Sequence, residues 1–297
     1  MSTILVTGAT GFVGRHLVPA LVAEGHDVRA MTRDPDAYDG EGTAVEGDVT
    51  TPSTLGPALD GVDIAYYLVH SLDEEDFEET EARSARAFGE AAGEAGVRQI
   101  VFLGGLGPDD ADELSVHLRS RRAVESLLGE GGVPVTVLRA AVIVGDGGIS
   151  WEITRQLVEN LPAMVVPQWA MTKTQPIALD DVVRYLVGVA GSEAAIGEVF
   201  EIGGPEALTY LEMLQGASEV MHGGRKIIAP VPVLTPGLSS HWISFVTDVD
   251  ATTGRNLIDS MDVEVVVTDD SIREVVPFEP MPYREAVERA LAESDES

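Results

Sequence analysis

Three glycines at three-residue spacing near the start of the chain predict a phosphate-binding turn. Gly8, Gly11 and Gly14 follow the apolar run Ile4-Leu5-Val6 and precede an amphipathic helical pattern. Gly8 would allow a tight turn after the strand, Gly11 a close backbone approach to a pyrophosphate, and Gly14 close packing of the helix on the sheet. A helix beginning near Gly11 would direct free N–H groups and its dipole at an anion. We interpret the stretch as a dinucleotide-binding turn; a purely structural glycine turn is the alternative.

The end of the second predicted strand indicates which dinucleotide binds. Met31-Thr32-Arg33 offers no carboxylate for a ribose 2′-hydroxyl, and the guanidinium of Arg33 suits a 2′-phosphate. The chain has only 19 Lys and Arg residues, which makes an arginine at this position informative. We therefore expect NADP(H) to be preferred over NAD(H). The alternative is that Arg33 pairs with Asp34 or Asp36.

Several later segments, together with the Thr-Gly-x-x-Gly-x-x-Gly spacing, resemble one superfamily. They are Tyr66-Tyr67-Leu68-Val69-His70-Ser71, Phe102-Leu103-Gly104-Gly105-Leu106-Gly107, His117-Leu118-Arg119-Ser120-Arg121, Leu138-Arg139-Ala140-Ala141-Val142-Ile143-Val144-Gly145, Gln175-Pro176-Ile177-Ala178 and Gly203-Gly204-Pro205-Glu206. The chain resembles extended and atypical short-chain dehydrogenases/reductases, in the NAD(P)H-binding branch related to NmrA-like regulators and to the nucleotide-binding accessory subunit of respiratory complex I. The resemblance covers nearly the whole chain and implies fold and cofactor class more than activity.

The resemblance also implies cofactor contacts beyond the glycines. Asp48 matches the position whose carboxylate meets the adenine amino group, although a helix-capping aspartate would have the same sequence context. His70 follows the fourth predicted strand and should lie near the cofactor ribose, because ligands gather at the carboxyl ends of such strands. Tyr67 is expected in the core. The candidate cofactor-binding residues are Thr7, Gly8, Thr10, Gly11, Phe12, Val13, Gly14, Thr32, Arg33, Asp48, Val49, Leu68, Val69 and His70.

The catalytic residues of active members of the superfamily are replaced in this chain. Gly104 and Gly105 stand where a serine is expected, and His117 and Arg121 stand where the Tyr-x-x-x-Lys pair is expected. The i, i+4 spacing places His117 and Arg121 on one helical face. A neutral histidine could exchange a proton at about pH 7, but the adjacent arginine would lower its pKa. The pair could instead contact the cofactor or an anion, or be structural, with Arg121 bound to Glu125.

Two functions remain open at this point. The first is a weak or specialised NADP(H)-dependent oxidoreductase with a quinone-like or other small-molecule acceptor whose identity the sequence does not reveal. The second is a non-catalytic redox sensor, or an assembly or regulatory protein with a protein partner. The lost Ser-Tyr-Lys set favours the second, and a C-terminal lobe with its own aromatic residues favours the first. These aromatic residues are Trp151, Trp169, Trp242 and Phe245.

Strand and helix patterns alternate through the first half of the chain and predict how these residues are positioned. Strands are expected at 4–6, 27–32, 43–46, 64–68, 100–103 and 135–138, and helices at 11–24, 77–95 and 114–129. Beyond them we expect helices at 151–161 and 180–189 and strands at 174–177 and 199–202. The helix at 77–95 is interpreted as an ordinary solvated amphipathic helix rather than part of a site.

Strict alternation predicts an α/β fold, a Rossmann-type doubly wound parallel sheet with a smaller C-terminal substrate lobe. Residues 1–145 would form the NAD(P)-binding domain, with 179–202 partly returning to it. Residues 146–178 and 203–297 would form the lobe.

Composition excludes several classes of function. The formal charge is −31 at pH 7, with 50 Asp and Glu residues and only two lysines, Lys173 and Lys226, so nucleic acid is not an expected partner. Such an acidic surface indicates adaptation to a salt-rich cytoplasm, where salt screens self-repulsion; an ordinary acidic cytosolic protein is the alternative. Without cysteine there is no disulfide or thiolate chemistry, and the six histidines show no metal-ligand spacing.

Two apolar segments, one at the start of the chain and one at 227–249, bear on where the protein is located in the cell. The chain starts directly with a strand pattern and no signal peptide, so we expect a cytoplasmic protein. The apolar stretch at 227–249 is interrupted by Pro230, Pro232 and Pro236 and contains His241 and Asp248, which argues against a membrane span. Peripheral association with a membrane remains open.

Overall fold

The computed structural model describes residues 1–70, 77–108, 114–230 and 261–296. Its strands are β1 (Thr3–Val6), β2 (Asp27–Thr32), β3 (Thr43–Glu46), β4 (Ile64–Tyr67), β5 (Gln99–Gly105), β6 (Val135–Ala140), β7 (Ile143–Val144), β8 (Ala163–Val166), β9 (Lys173–Thr174), β10 (Ile177–Ala178), β11 (Val199–Ile202), β12 (Leu208–Thr209) and β13 (Ile227–Pro230). Within the described ranges the α-helices are α1 (Gly14–Ala23), α2 (Leu55–Leu59), α3 (Phe77–Ala95), α4 (Val116–Leu128), α5 (Ile149–Asn160), α6 (Leu179–Val189), α7 (Tyr210–His222), α8 (Ile272–Val275) and α9 (Tyr283–Glu296).

A seven-stranded sheet in the order β11-β6-β5-β4-β1-β2-β3 forms the centre of the molecule. Every neighbouring pair in it is parallel. The strand order reverses at β1, which lies between β2 and β4, and ligands of open parallel sheets bind at such a switch point. The order and pairing confirm the predicted Rossmann-type fold.

Helices cover both faces of the sheet because its strands are apolar on both sides. Ile4 and Val6 belong to one buried cluster with residues of α1 and α6, whereas Leu5 belongs to the other, with residues of α2, α3 and α4. Tyr66 donates a hydrogen bond to the carbonyl of Leu186 at 2.8 Å on the first face. Tyr67 is 2% exposed on the second face, which confirms its expected place in the core. Burial on both faces is typical of parallel sheets.

A second hydrophobic core lies outside the sheet and is built from β8, α5, α7 and α9. Trp151 and Trp169 are buried in this core. Arg15 of α1 contacts Asp146 ahead of α5, which ties the first helix of the sheet domain to the segment that leads into the second core. Residues 231–260, which include Trp242 and Phe245, lie outside the described residues. In the described parts of the chain no helix is both long and apolar enough to cross a membrane.

Some element boundaries differ from the prediction for local reasons. Helix α1 begins at Gly14 rather than near Gly11, because Gly11 N donates to Gly8 O and closes a turn before the helix. The strand expected at 174–177 is two short strands, β9 and β10, separated at Gln175-Pro176. Proline has no N–H to donate, so it cannot continue a central ladder.

Candidate functional site

A cleft of about 570 Å³ opens at the carboxyl ends of β1, β4, β5 and β6. Its volume is in the range of small-molecule sites. Of the residues that the sequence predicts for the site, the cleft brings together Gly8, Thr10, Gly11, Phe12, Val13, Gly14, Leu68, Val69, His70, His117 and Arg121. Gly104, Gly105 and the segment Gly147-Gly148-Ile149-Ser150 also line it.

The glycine turn needs its glycines for geometric reasons. Gly8 has φ +64°, a backbone conformation that side chains disfavour. A Cβ at Gly14 would lie 2.1 Å from Gly8 O, so only glycine lets the first turn of α1 approach the β1 turn this closely. The N–H groups of Phe12 and Val13 donate to no backbone carbonyl within the described residues. Free donors at a helix N-terminus inside a cleft fit the pyrophosphate of a dinucleotide.

Five of the candidate residues are outside the cleft lining, and three of them lie near the ends of β1 and β3. Thr7 is fully buried, and its hydroxyl accepts a hydrogen bond from Leu68 N at 3.1 Å, which couples the ends of β1 and β4. Val49 is 5% exposed and belongs to the core. Asp48 Oδ1 accepts from Thr50 N at 2.8 Å, so its carboxylate caps a local turn.

Thr32 and Arg33 stand at the carboxyl end of β2, next to the glycine turn in the sheet order and outside the cleft lining. Arg33 is exposed and makes no ion pair with any described residue, Asp34 and Asp36 included. The alternative in which Arg33 is held by a neighbouring aspartate is therefore not what the structure shows.

Glu81 of α3 is the centre of a buried polar cluster at the cleft wall. Its side chain is 4% exposed. Oε1 lies 2.5 Å from His70 Nδ1 and 3.5 Å from Arg121 Nη1, and Oε2 accepts from the Ser120 hydroxyl at 2.6 Å. Burial raises the pKa of Glu81, but the hydrogen bond and charge of His70, the charge of Arg121 and the Ser120 hydroxyl together lower it to about 2. Glu81 is therefore a carboxylate at neutral pH, and α3, interpreted from the sequence as an ordinary solvated amphipathic helix, contributes this buried side chain to the cluster.

Arg121 of α4 is buried and connects this helix to the sheet through hydrogen bonds to backbone carbonyls. Its Nη2 donates to Leu103 O at 2.9 Å, and its Nη1 donates to Val69 O at 3.4 Å. The guanidinium also lies over the Phe102 ring, 4.5 Å from its centroid. Glu125, the partner considered for Arg121, instead pairs with Arg139 at 2.7 Å. These contacts hold the carboxyl ends of β4 and β5 in place.

His117 stacks on His70 with ring centroids 5.0 Å apart and an interplanar angle of 20°. Its Nδ1 is buried and has no hydrogen-bond partner within the described part of the chain. Burial, followed by the charges of His70 and Arg121, lowers the pKa of His117 to about 3. Arg121 thus has the expected effect, although burial is the larger cause. His117 is a neutral imidazole at neutral pH.

The glycines at the end of β5 lie close to side chains of α4. A Cβ at Gly105 would lie 2.6 Å from Leu118 Cδ2, and one at Gly104 would lie 2.9 Å from Glu125 Oε1. A serine at either position would need its neighbours to move. Gly104 and Gly105 carry no hydroxyl, and the histidines of the cleft lining are His70 and His117.

Sequence reasoning missed Glu81 and Ser120, although Glu81 carried a signal. Ala85, Phe88 and Ala92 form the buried face of α3, and Glu81 lies on the same face one turn earlier. A lone acid on the apolar face of a helix predicts a buried partner. In the described ranges no cluster of three or more His, Cys, Asp or Glu residues could hold a metal ion.

Comparisons with known proteins agree with this geometry. A family model described as NAD(P)H-binding matches residues 8–170. The (4-alkanoyl-5-oxo-2,5-dihydrofuran-3-yl)methyl phosphate reductase of Streptomyces griseus subsp. griseus is 30% identical over 229 residues, covering 73% of each chain. The ceramide reductase of Caulobacter vibrioides is 29% identical over 255 residues, which cover 81% of this chain and 78% of the relative.

Two further similarities bear on function and fold. The photosystem II assembly factor Ycf39 of Synechocystis sp. is 23% identical over 239 residues, covering 77% of this chain and 71% of the relative. The crystal structure of the Citrobacter sp. triphenylmethane reductase complexed with NADP(H) superposes with a TM-score of 0.79 at 19% identity, covering 97% of this chain and 99% of that one. At this identity the superposition shows the fold alone.

Proposed function

The chain belongs to the NAD(P)H-binding family, and on that premise we propose that it is an NADP(H)-dependent reductase of a quinone-like acceptor. The observation that carries the proposal is the shared cleft, in which the glycine turn and the side chains of His70, His117 and Arg121 line one ligand space. A reduced nicotinamide nucleotide supplies a hydride when it is bound there. The residues of the chain have to hold the phosphates, orient the acceptor and provide a proton.

The cofactor half of the proposal rests on the β1 and β2 ends of the sheet. The N–H groups of Phe12 and Val13 and the N-terminus of α1 would hold the pyrophosphate. Arg33, exposed and without an ion pair among the described residues, would bind a 2′-phosphate. NADP(H) is named for the Citrobacter structure with the same fold, which agrees with this choice. Asp48 would face the adenine end.

The choice of acceptor rests on two features of the cleft: no serine hydroxyl is present at the end of β5, and the cleft walls are apolar. Glycines in place of a serine leave no hydroxyl to hold a carbonyl oxygen, so simple ketones and aldehydes should be poor substrates. A quinone-like ring needs less help from a positioned acid for two-electron reduction. Apolar walls and two parallel imidazoles suit a flat ring. The wall residues are Phe12, Leu68, Val69, Leu103, Ala140, Ala141, Ile143 and Ile149.

NADPH oxidation measured with menadione and with a panel of ketones and aldehydes tests the proposal. We expect turnover with menadione and little or none with the carbonyl panel, at matched high salt. Brisk ketone reduction that His117→Ala abolishes would overturn the choice of acceptor and make His117 the substitute for the usual tyrosine. Absence of NADPH binding would overturn the proposal itself.

A non-catalytic assembly or regulatory protein is the second candidate. The lost Ser-Tyr-Lys set and the similarity to a photosystem II assembly factor favour it. It would bind NADPH in the same cleft and reduce none of the acceptors. Calorimetric NADPH binding without menadione turnover would therefore select this second function over the first.

A further inference from the structure

We propose that Glu81 and His70 form the proton-delivery pair of this cleft, with His70 as the proton donor and Glu81 as its positioning residue. The inference rests on the proposed reductase function and adds the source of the proton. Its observations are the 2.5 Å contact between the two side chains, the place of His70 in the cleft lining and the burial of Glu81 directly behind it.

The contact with Glu81 determines which ring nitrogen of His70 can serve a ligand. A carboxylate only accepts hydrogen bonds, so Nδ1 must carry a hydrogen directed at Oε1. Proton exchange with a bound acceptor then falls to Nε2. A buried carboxylate that orients a histidine in this way also stabilises positive charge on the ring. The His70 side chain is 30% exposed, so solvent can return a proton to it after each transfer.

Three anchors keep Glu81 ionised and in place. Ser120 and Arg121, both on α4, contact its two oxygens, and His70 is the third anchor, on the same oxygen as Arg121. Removing water from such a cluster strengthens each electrostatic contact. Of the charged and titratable groups that face His70 in the described residues, Glu81 comes from α3, and His117 and Arg121 come from α4.

His117 has a different part in the same site. Because it is neutral, it holds no proton in excess to give up as an imidazolium. Its stacking on His70 restrains the plane of that ring, and its Nδ1, which has no partner among the described residues, can accept a hydrogen bond from a ligand or water. The neutral His117 ring therefore positions His70, and the His70 ring, which is paired with Glu81, delivers the proton.

The resulting step balances for a quinone. The acceptor gains a hydride from the reduced nicotinamide and becomes a hydroquinone anion, while the nicotinamide is oxidised. The Nε2–H bond of His70 then breaks, and an O–H bond forms on the anionic oxygen. The neutral His70 takes up a proton from water, which gives a net consumption of one proton for each quinone reduced.

Glu81→Gln tests the pair with one readout that does not need turnover. Its amide keeps a hydrogen-bonding oxygen but removes the charge. We expect the pH at which the His70 ring loses its proton, followed by NMR on ¹⁵N-histidine-labelled protein, to fall by at least about one unit. Glu79→Gln, on the exposed face of the same helix, is the matched control and should leave the His70 titration unchanged.

Kinetics with menadione give the second readout. Loss of a proton donor costs about 10²- to 10⁴-fold. We expect kcat to fall at least about 10²-fold in Glu81→Gln and in His70→Gln, whereas the Kd of NADPH in Glu81→Gln should change by less than about threefold. Glu81→Asp keeps the charge and should recover part of the rate. If Glu81→Gln does not fold by circular dichroism, His70→Gln carries the test.

The possible failures are distinguishable. Wild-type protein that neither binds NADPH nor reduces menadione would overturn the reductase proposal, while the NMR titration would still judge the Glu81–His70 pair. Wild-type turnover with unchanged kcat in Glu81→Gln and His70→Gln would overturn the proton-delivery pair alone. An unchanged His70 titration in Glu81→Gln would do the same.

Discussion

His117 makes the stability of the protein depend on pH in a predictable direction. Its pKa is lowered from 6.5 to about 3, first by burial and then by the charges of His70 and Arg121. The unfolded chain binds a proton at this ring below about pH 6.5, whereas the folded protein does not until about pH 3. The contribution of the neutral His117 ring to the free energy of unfolding is therefore fully present above about pH 6.5 and is lost progressively as the pH falls below it.

Comparison of wild-type protein with His117→Gln isolates this effect, because the other titrating groups are common to both. Between about pH 6.5 and pH 5 the wild type should lose about 2 kcal/mol of unfolding free energy relative to the variant. Urea unfolding at each pH, at constant salt, measures the difference. Two stability curves that run parallel through this interval would show that the ring titrates normally in the folded state.

Arg33 should determine the choice between the two nicotinamide cofactors. A charge-assisted contact to a phosphate contributes about 1.5–3 kcal/mol, so Arg33→Ala should weaken NADPH binding by at least about tenfold and leave NADH binding nearly unchanged. Calorimetry at matched salt compares the two cofactors. Arg98→Ala is the matched control, because it removes the same charge from an exposed arginine paired with Asp63 at the opposite end of the sheet. Equal NADPH and NADH affinities in the wild type would contradict this role of Arg33.

At the scale of elements, the packing of α1 on the β1 turn can be tested through Gly14. A Cβ there would collide with the backbone of Gly8 and Ala9. Overpacking typically costs about 1–3 kcal/mol, so Gly14→Ala should destabilise the protein by about 2 kcal/mol and displace the turn that would hold the pyrophosphate. Gly224→Ala, where a Cβ would meet nothing within 4 Å, should leave stability nearly unchanged.

Thermal unfolding and NADPH titration of both glycine variants give the measurement. A wild-type melting temperature and NADPH affinity in Gly14→Ala would mean that the helix and turn shift at no cost. The close approach of α1 would then be incidental to binding.

Local patterns predicted the sheet well because its strands repeat one simple arrangement. Buried parallel strands such as β1 and β4 are continuous apolar runs bounded by turns, and such runs are recognisable without tertiary contacts. The sequence reading missed α7, although Thr209 and Glu212 form a capping box at its start. The capping box is a local signal, so the start of this helix can be predicted without tertiary contacts.

The predicted residues that line the cleft come from the glycine turn, from the segment after β4 and from α4, whereas the contact between His70 and Glu81 was not predicted. The glycine turn has its residues within one stretch and could be read directly. The proton-delivery pair joins His70 to Glu81, and Ser120 reaches the same carboxylate from a helix 39 residues further along the chain. No spacing rule links these positions, because the sheet alone brings α3 and α4 together. The neutrality of His117 likewise follows from burial that only the fold creates.

On the scale of the whole molecule, the cleft lies where the sheet domain meets the second core. Phe12 of the glycine turn packs against Gly145 and Gly148, whose Cβ atoms would lie 3.3 Å and 2.6 Å from its ring. Arg15 and Asp146 tie the same two parts together. Residues of both parts therefore line one cleft.

The net charge gives the whole molecule its own prediction. With 50 acidic against 19 basic side chains, most carboxylates have no cation to pair with, even though arginines such as Arg139 and Arg155 hold close partners. Unscreened like charges destabilise a compact state, and at molar ionic strength the Debye length falls to about 3 Å.

We therefore expect the melting temperature to rise steeply as potassium chloride is increased from low to molar concentration, and removal of salt to expand or unfold the chain. Differential scanning calorimetry across the salt series measures this. The same series in an uncharged osmolyte is the control, because an osmolyte strengthens burial without screening charge. If the osmolyte reproduced the whole gain, or if the melting temperature stayed flat in salt, self-repulsion would not limit stability, and the acidic surface would need another explanation than a salt-rich cytoplasm.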